Sequence, residues 1–379
     1  MTTYSCAKAI TATGMITRPL IDVVDGVITA IEPHGTPRAD TVELGPVTLI
    51  PGFVDIHVHG GGSFSFCDGP DAARAAADFH RAHGTTSIIA SLASATLDEL
   101  AAQTVELRPL VDSGVLAGLH LEGPFLSDRR RGAHNPALLR NPDIAWLDTV
   151  MGNGVRMVTL APELDGGLDA VRAITEAGVV AALGHSDATF EQTVAAIDAG
   201  IRVGTHLFNG MRPTHHREPG AVLALMRDRR VTVELISDGI HVHAALIEGV
   251  IHAAGPHRVA LITDAISATG MPDGIHELAG SVVRVANGVA ELVDGSSLAG
   301  STLTMDAALR NTVACGVELE EAVLSACTTP ARTLGLTDRG EIAVGKRADF
   351  VALDPDLTVT SVIHAGELVP TPTTAEAAS

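Results

Sequence analysis

Aromatic side chains are scarce in this chain of 379 residues: one Trp, one Tyr and eight Phe. The apolar fraction is nonetheless 46%, so any core must be aliphatic and rich in alanine. Such packing suits layered α/β architecture better than an aromatic sandwich, and it excludes wholesale disorder. Basic charge is also short: 25 Lys and Arg face 45 Asp and Glu, a net −20. Nucleic acid and anionic membrane both need a basic footprint, so neither is expected as a partner. A small anionic substrate would have to be met by a local cluster. No run approaches the roughly 18 apolar residues of a membrane span. The opening MTTYSCAKAI lacks the charged head and apolar stretch of a signal peptide. Cys6, Cys67, Cys315 and Cys327 form no CxxC pair. A reducing, cytoplasmic setting is therefore expected.

Against these shortages stands an excess of histidine, seventeen in all, whose positions along the chain locate the chemistry. Short aliphatic or β-branched runs fall at 54–58, 87–92, 115–121, 155–160, 179–183, 201–207, 231–236 and 259–262. Helical stretches lie between them, at 71–83, 97–111, 144–151, 168–177, 190–199, 219–227 and 244–254, with another at 302–314. Ala72, Ala76, Phe79 and His83 are expected to mark one face of the first helix. Eight strands alternating with helices predict a (β/α)8 TIM barrel over 53–337, whereas a doubly wound sheet would leave two units unused. Residues 1–52 and 338–379 read as short strands and turns, with a further hairpin at Asn287-Gly288. A small β-sandwich domain built from both chain ends is expected, with the tail 370–379 frayed.

The first barrel strand reads PGFVDIHVHG. Alternate side chains share a face, so His57 and His59 should both point into the barrel, with Asp55 one layer deeper. Glu122 ends the third run, His185 the fifth and Asp264 the eighth, while His206 lies in the sixth. Any one of these alone reads as a capping or core-satisfied polar group. Six together at the C-terminal rim, where barrel active sites lie, read as a metal centre. Histidines with one or two carboxylates suit a divalent ion: zinc first, with iron or cobalt as other choices. Two adjacent subsites are expected, one with His57 and His59 and one with His185 and His206, with Glu122 reaching both. An ion there would bring the pKa of a bound water to about 7. Asp264 could then take its proton and return it to a leaving amine. That is the chemistry of amide hydrolysis.

The histidine pair, the later histidines and the terminal aspartate resemble the amidohydrolase superfamily. The segments LHLEGPF, GAHNP, GHSDAT, THLFNGM, REPG, SDGIHV, LITDA, LAGST and GKRADFVALD resemble the N-acetylglucosamine-6-phosphate deacetylase family within it. That resemblance implies a metal-bearing barrel with a small β-sandwich. It implies release of acetate from N-acetyl-D-glucosamine 6-phosphate, in amino-sugar catabolism and cell-wall sugar recycling. It also implies a homodimer. By the same resemblance Glu122, His185 and His206 form the principal metal site and Asp264 is the catalytic acid/base. His134 contacts substrate near the acetamide, where it can stabilise an oxyanion. Arg217, supplied to the neighbouring subunit's site, and His241 contact the phosphate, with Asn209 and Gly210 as backbone contacts. Leu298, Ala299, Gly300 and Ser301 form a substrate-lining loop. Family members differ at the HxH pair, and its presence here supports a second metal position.

Other readings attach to particular residues. Arg129–Arg131 can steer a phosphate, but mobile solvated charge is expected. Gly60–Gly62 are expected to give backbone room beside the metals. Cys67 is expected to be a free loop cysteine, and His243 to have no ligand role. His80, His83, His252 and His257 are expected at surface or capping positions. A serine hydrolase can be assembled from His59–Gly62, Ser186, Asp264 and His276, but it leaves Glu122 and His206 idle. Other amide hydrolases or deaminases of the superfamily often bridge two metals with a carbamylated lysine. Only Lys8 and Lys346 occur here, both outside the barrel segment.

Overall fold

Thr85–Ala93 is buried at all nine positions, as a strand covered on both faces must be. The computed structural model describes residues 1–278 and 280–370, so the expected fraying beyond Pro370 lies outside the described residues. Eight parallel strands pair in chain order: β1 (Phe53–Val58), β2 (Thr85–Ala93), β3 (Gly118–Glu122), β4 (Val155–Leu160), β5 (Val180–Leu183), β6 (Ile201–Gly204), β7 (Thr232–Ile236) and β8 (Val259–Ile262). The ring draws together where Asp264 N donates to His57 O at 2.9 Å and His59 N to Ala265 O at 2.8 Å. Thr263 Oγ1 also donates to Asp55 Oδ2 at 2.6 Å. This is the expected TIM barrel.

The helices form for local reasons. α1 (Pro70–Ala82) has Pro at its first turn, where a missing N–H costs nothing. α2 (Leu97–Asp112) opens on a Thr96/Glu99 capping box. The remaining outer helices are α3 (Ile144–Val150), α4 (Gly167–Glu176), α5 (Phe190–Ala199), α6 (Gly220–Arg227), α7 (Ala244–Ala254) and α8 (Met305–Ala314). Thr189 and Gln192 cap α5 in the same reciprocal way as α2.

The inner face of α1 is set by alanines and His80. Ala73, Ala76, Ala77 and His80 are buried, whereas Ala72, Phe79 and His83 are only partly so. His80 is thus a core residue, its Nε2 2.9 Å from Gly60 O. Gly61 and Gly62 make room for α1. A Cβ on Gly61 would fall 2.6 Å from the Phe79 ring and 2.7 Å from His80 Nε2.

The two chain ends meet in a pair of sheets. Thr48–Pro51 pairs antiparallel with Phe350–Leu353 inside a six-stranded sheet. A four-stranded sheet containing Thr2–Ser5 and Leu20–Val24 faces it. Tyr4, Ile21 and Ile28 pack with Leu49, Phe350 and Ile363 to make their common core. A third sheet, β9 (Gly274–Leu278), β10 (Ser281–Ala286) and β11 (Val289–Leu292), turns at Asn287-Gly288, both with positive φ. Val283, Val285 and Ala290 pack on Ile266, Ala268 and Ala299, so this hairpin sheet stands over one side of the barrel mouth.

Candidate metal centre and active site

Three of the expected ligands share a backbone construction that their spacing did not reveal. β5 stops at Leu183, β6 at Gly204 and β8 at Ile262, and the ligand follows two residues later each time: His185, His206 and Asp264. All three have left-handed backbone, with φ of 48°, 31° and 52°. A non-glycine residue there costs about 1–3 kcal/mol and persists only where its surroundings hold it. His206 therefore lies beyond its strand, which ends three residues earlier than the expected Leu207. His57 lies within β1, His59 just past it and Glu122 at the last position of β3.

These side chains converge. His57, His59 and Asp264 form one group of potential ligands and Glu122, His185 and His206 another, with the ligand atoms of each group within 4.8 Å of one another. Glu122 spans both groups as expected. Its Oε1 lies 3.2 Å from His185 Nε2, 3.0 Å from His206 Nε2 and 3.4 Å from His57 Nε2; its Oε2 lies 3.1 Å from His59 Nε2. Asp264 Oδ1 is 3.5 Å from His57 Nε2 and 3.3 Å from His59 Nε2. His185 and His206 face each other Nε2 to Nε2 at 3.1 Å. Ring nitrogens gathered so closely around a carboxylate make a candidate cation site.

Partners behind two of the histidines fix their tautomers. His57 Nδ1 donates to Glu234 Oε2 at 3.0 Å and His185 Nδ1 to Arg130 O at 2.8 Å, so each Nε2 faces the centre. Beneath them runs a buried polar chain: Ser91 to His120, His120 to Thr159, and Thr159 to Thr205, at 2.8–2.9 Å per link. The electrostatics match a site built for positive charge. Burial alone would raise Glu122, but His57 and hydrogen bonds from His134, His185 and His206 hold it well below the usual carboxylate range. Asp264 is raised by burial but, beside His57 and His59, is also held well below. Burial would lower His59, yet Asp264 and Glu122 push it up to about 9. The donor set thus fits divalent metal ions.

A cavity of about 230 Å³ opens above this cluster. His134 lines it, with Nε2 3.6 Å from Glu122 Oε2. Asn209, Gly210, His241, Leu298 and Gly300 line it too, as does Leu278 of the hairpin sheet. His241 Nδ1 is held by Asp238 Oδ2 at 2.6 Å. Ala299 and Ser301 are buried and do not line it: Ala299 packs into the hairpin core, and Ser301 Oγ donates to Thr263 O. Arg217 is exposed, bonds the His216 ring at 2.8 Å and does not line its own chain's cavity.

One of the other expectations changes. Arg130 is not mobile solvated charge: Asp187 binds it at 2.8 Å, and Asp187 also holds Arg212 at 3.0 Å. That clamp fixes the loop between Glu122 and His134. Ser186 is no nucleophile, because its Oγ donates to Glu163 Oε2 at 2.7 Å and is buried. His276 is engaged with Pro272 O. His243 caps α7 and is exposed, and Cys67 is a free thiol. Glu234 and His120 went unnoticed in the sequence. Their one signal was a polar residue on the inward register of an apolar strand.

A strand-end cluster of potential metal ligands in a TIM barrel flanked by a terminal β-sandwich is the architecture of an amidohydrolase. The amidohydrolase family model matches residues 48–369, and the chain belongs to that family. Relatives of the chain include deacetylases of amino-sugar phosphates. The N-acetylgalactosamine-6-phosphate deacetylase of Escherichia coli O157:H7 is 39% identical over 95% of this chain and 97% of its own. The N-acetylglucosamine-6-phosphate deacetylase of Lysinibacillus sphaericus is 37% identical over 91% of each. A solved N-acetyl-D-glucosamine-6-phosphate deacetylase variant from Mycobacterium smegmatis, in complex with N-acetyl-D-glucosamine 6-phosphate, superposes with a TM-score of 0.94. It shares 45% identity and covers 97% of this chain and 98% of that one.

Proposed function

We propose that this chain hydrolyses N-acetyl-D-glucosamine 6-phosphate to D-glucosamine 6-phosphate and acetate. The observation that carries the reading is the Glu122-centred cluster at the floor of a cavity closed on one side by Leu278 and Leu298. The relative from M. smegmatis, at 45% identity over nearly the whole chain, supports the substrate. His57, His59, Glu122, His185 and His206 would hold divalent ions, and we infer zinc from the nitrogen-rich donor set. When bound, the ions supply an acidified water and a polarised carbonyl.

The chain's own residues do the rest. Asp264, kept ionised beside His57 and His59, accepts a proton from the attacking water. The water oxygen bonds to the acetamide carbon, and His134 donates to the oxygen on which negative charge develops. Protonated Asp264 then delivers its proton to the nitrogen, the C–N bond breaks, and acetic acid and the free amine separate, the acid releasing the water's remaining proton to become acetate. His241 would bind the phosphate within the chain, with Asn209 and Gly210 beside it. Arg217, exposed and away from its own cavity, would complete the phosphate site of the other subunit in a homodimer. The proposed division is a β-sandwich of 1–52 with 338–379 and a barrel of 53–337. No helix among the described residues is long and apolar enough to cross a membrane; a cytoplasmic location is part of the proposal.

The test is acetate release from N-acetylglucosamine with and without its 6-phosphate, with metal content measured on the same preparation. The galactosamine epimer belongs in the same assay because of the E. coli relative. Release from the phosphorylated gluco sugar, lost on chelation and restored by zinc, is expected. Equal turnover of the unphosphorylated sugar would overturn the phosphate assignment, and chelator-resistant activity would overturn the metal assignment.

A further inference from the structure

The run VTVELIS puts a carboxylate in the middle of an apolar strand. Glu234 of β7 is fully buried and takes part in none of the proton transfers. Its Oε2 accepts two hydrogen bonds, from His57 Nδ1 at 3.0 Å and from the backbone N–H of His206 at 3.1 Å. Its Oε1 is buried without a partner. A charge so placed is costly, and a methionine would fill much the same volume without that cost. What an apolar side chain cannot do is accept from both donors at one point. Those donors belong to different halves of the cluster: His57 groups with His59 and Asp264, and His206 with Glu122 and His185. Glu122 links the halves in front of the histidines; Glu234 links them from behind.

The geometry assigns Glu234 as a positioning residue that holds both metal subsites in register through one oxygen, with its stronger hold on the His57 subsite. The asymmetry follows from what each bond restrains. At His57 the bond reaches the imidazole itself, selecting the tautomer with Nε2 inward and stopping rotation of the ring. At His206 it reaches only the backbone, and that ring is placed by Glu122 and His185. His59, the partner of His57, has no acceptor on its own Nδ1, so the His57 subsite has no second anchor of this kind. Removing Glu234 therefore frees a ligand ring in one subsite and loosens only a turn in the other.

This inference rests on the reading that the cluster binds two ions, and the experiment separates the two. Full-length wild type, E234M, E234Q and H57N are loaded with cobalt(II), and bound ions per chain are measured by elemental analysis. Affinities come from chelator competition followed through the cobalt absorption bands. Wild type is expected to hold two ions. E234M should weaken the ion that H57N loses by about 10–100-fold, the usual effect of losing a partner behind a ligand, while holding the other near wild-type affinity. E234Q, whose amide oxygen can take both hydrogen bonds, should lie closer to wild type than E234M does. E234D, which keeps the charge but is one methylene too short, covers the case in which E234M does not fold; it should weaken the same ion by about tenfold. Wild-type affinities in E234M, or in E234D if that variant is used, overturn the assignment to Glu234. So does equal weakening of both ions. A wild type that holds a single ion overturns the two-subsite reading and this inference with it.

Discussion

His80 makes the stability of this protein depend on pH in a way that can be calculated. Its ring is fully buried under Gly60, and burial pushes its pKa from 6.5 down to about 4. The neutral ring donates from Nε2 to Gly60 O, whereas Nδ1 is buried without a partner. Protonation would thus create an N–H with no acceptor. Because the folded pKa lies below the unfolded one, the unfolded chain binds the proton first, so stability is intact above about pH 6.5 and falls as the pH drops toward 4. At about 1.4 kcal/mol per pH unit, acidification from pH 7 to 5 costs about 2 kcal/mol through this ring alone. The comparison is with His80→Gln, which retains a donor for Gly60 O but does not titrate. Urea unfolding of both proteins at pH 7 and pH 5 gives the difference, and every other titrating group cancels. Wild type should lose about 2 kcal/mol more than the variant. Equal losses would refute the burial argument and with it the placement of His80 in the core.

Three further outcomes follow from the site. Asp264→Asn should keep its metal content, since five other ligands remain, but lose kcat by about 10²–10⁴-fold through loss of the proton acceptor; near-normal turnover would sink that role. Arg217→Ala should raise KM for the phosphorylated sugar with a smaller effect on kcat. Mixing it with an Asp264→Asn protein should restore some activity if the arginine serves the other subunit, and no restoration in mixed dimers counts against that. Gly61→Ala places a methyl against the Phe79 ring and His80. Overpacking of that kind costs about 1–3 kcal/mol, read as a lower unfolding midpoint in urea.

The ligands were legible in the sequence because they recur at one point of a regular repeat. Glu122, His185 and Asp264 each fall where an aliphatic run ends and His206 lies late in one, and the HxH spacing of His57 and His59 is meaningful only on a strand. The backbone device at three of them was not legible, since left-handed φ at a histidine or aspartate leaves no glycine to mark it. Glu234 was missed because a lone carboxylate in an apolar run looks the same whether it serves a neighbour or is merely tolerated. Which face of α1 turns inward was not legible, for a different reason. Its alanines at 72, 73, 75, 76 and 77 offer little amphipathic contrast, so the hydrogen bond of His80 and the bulk of Phe79 decide which side turns inward. Arg130 was misread because sequence shows a run of three arginines, but not the Asp187 carboxylate that neutralises one of them.

The union of the two chain ends has a consequence for synthesis on the ribosome. Ile50 and Leu49 pair with Val351 and Ala352, so the inner strand of the terminal sheet meets its partner only after about three hundred further residues have been made. At about 5–20 residues per second that is a wait of roughly 15–60 s. Through that interval Thr48–Pro51 presents an uncovered apolar edge to the surrounding solution. The complete barrel must therefore be threaded out while its foundation is still unclosed, and the last strands added act as the clasp. Removing the chain from Phe350 onward would uncover Thr48–Pro51 while leaving every ligand of the candidate metal centre in the chain.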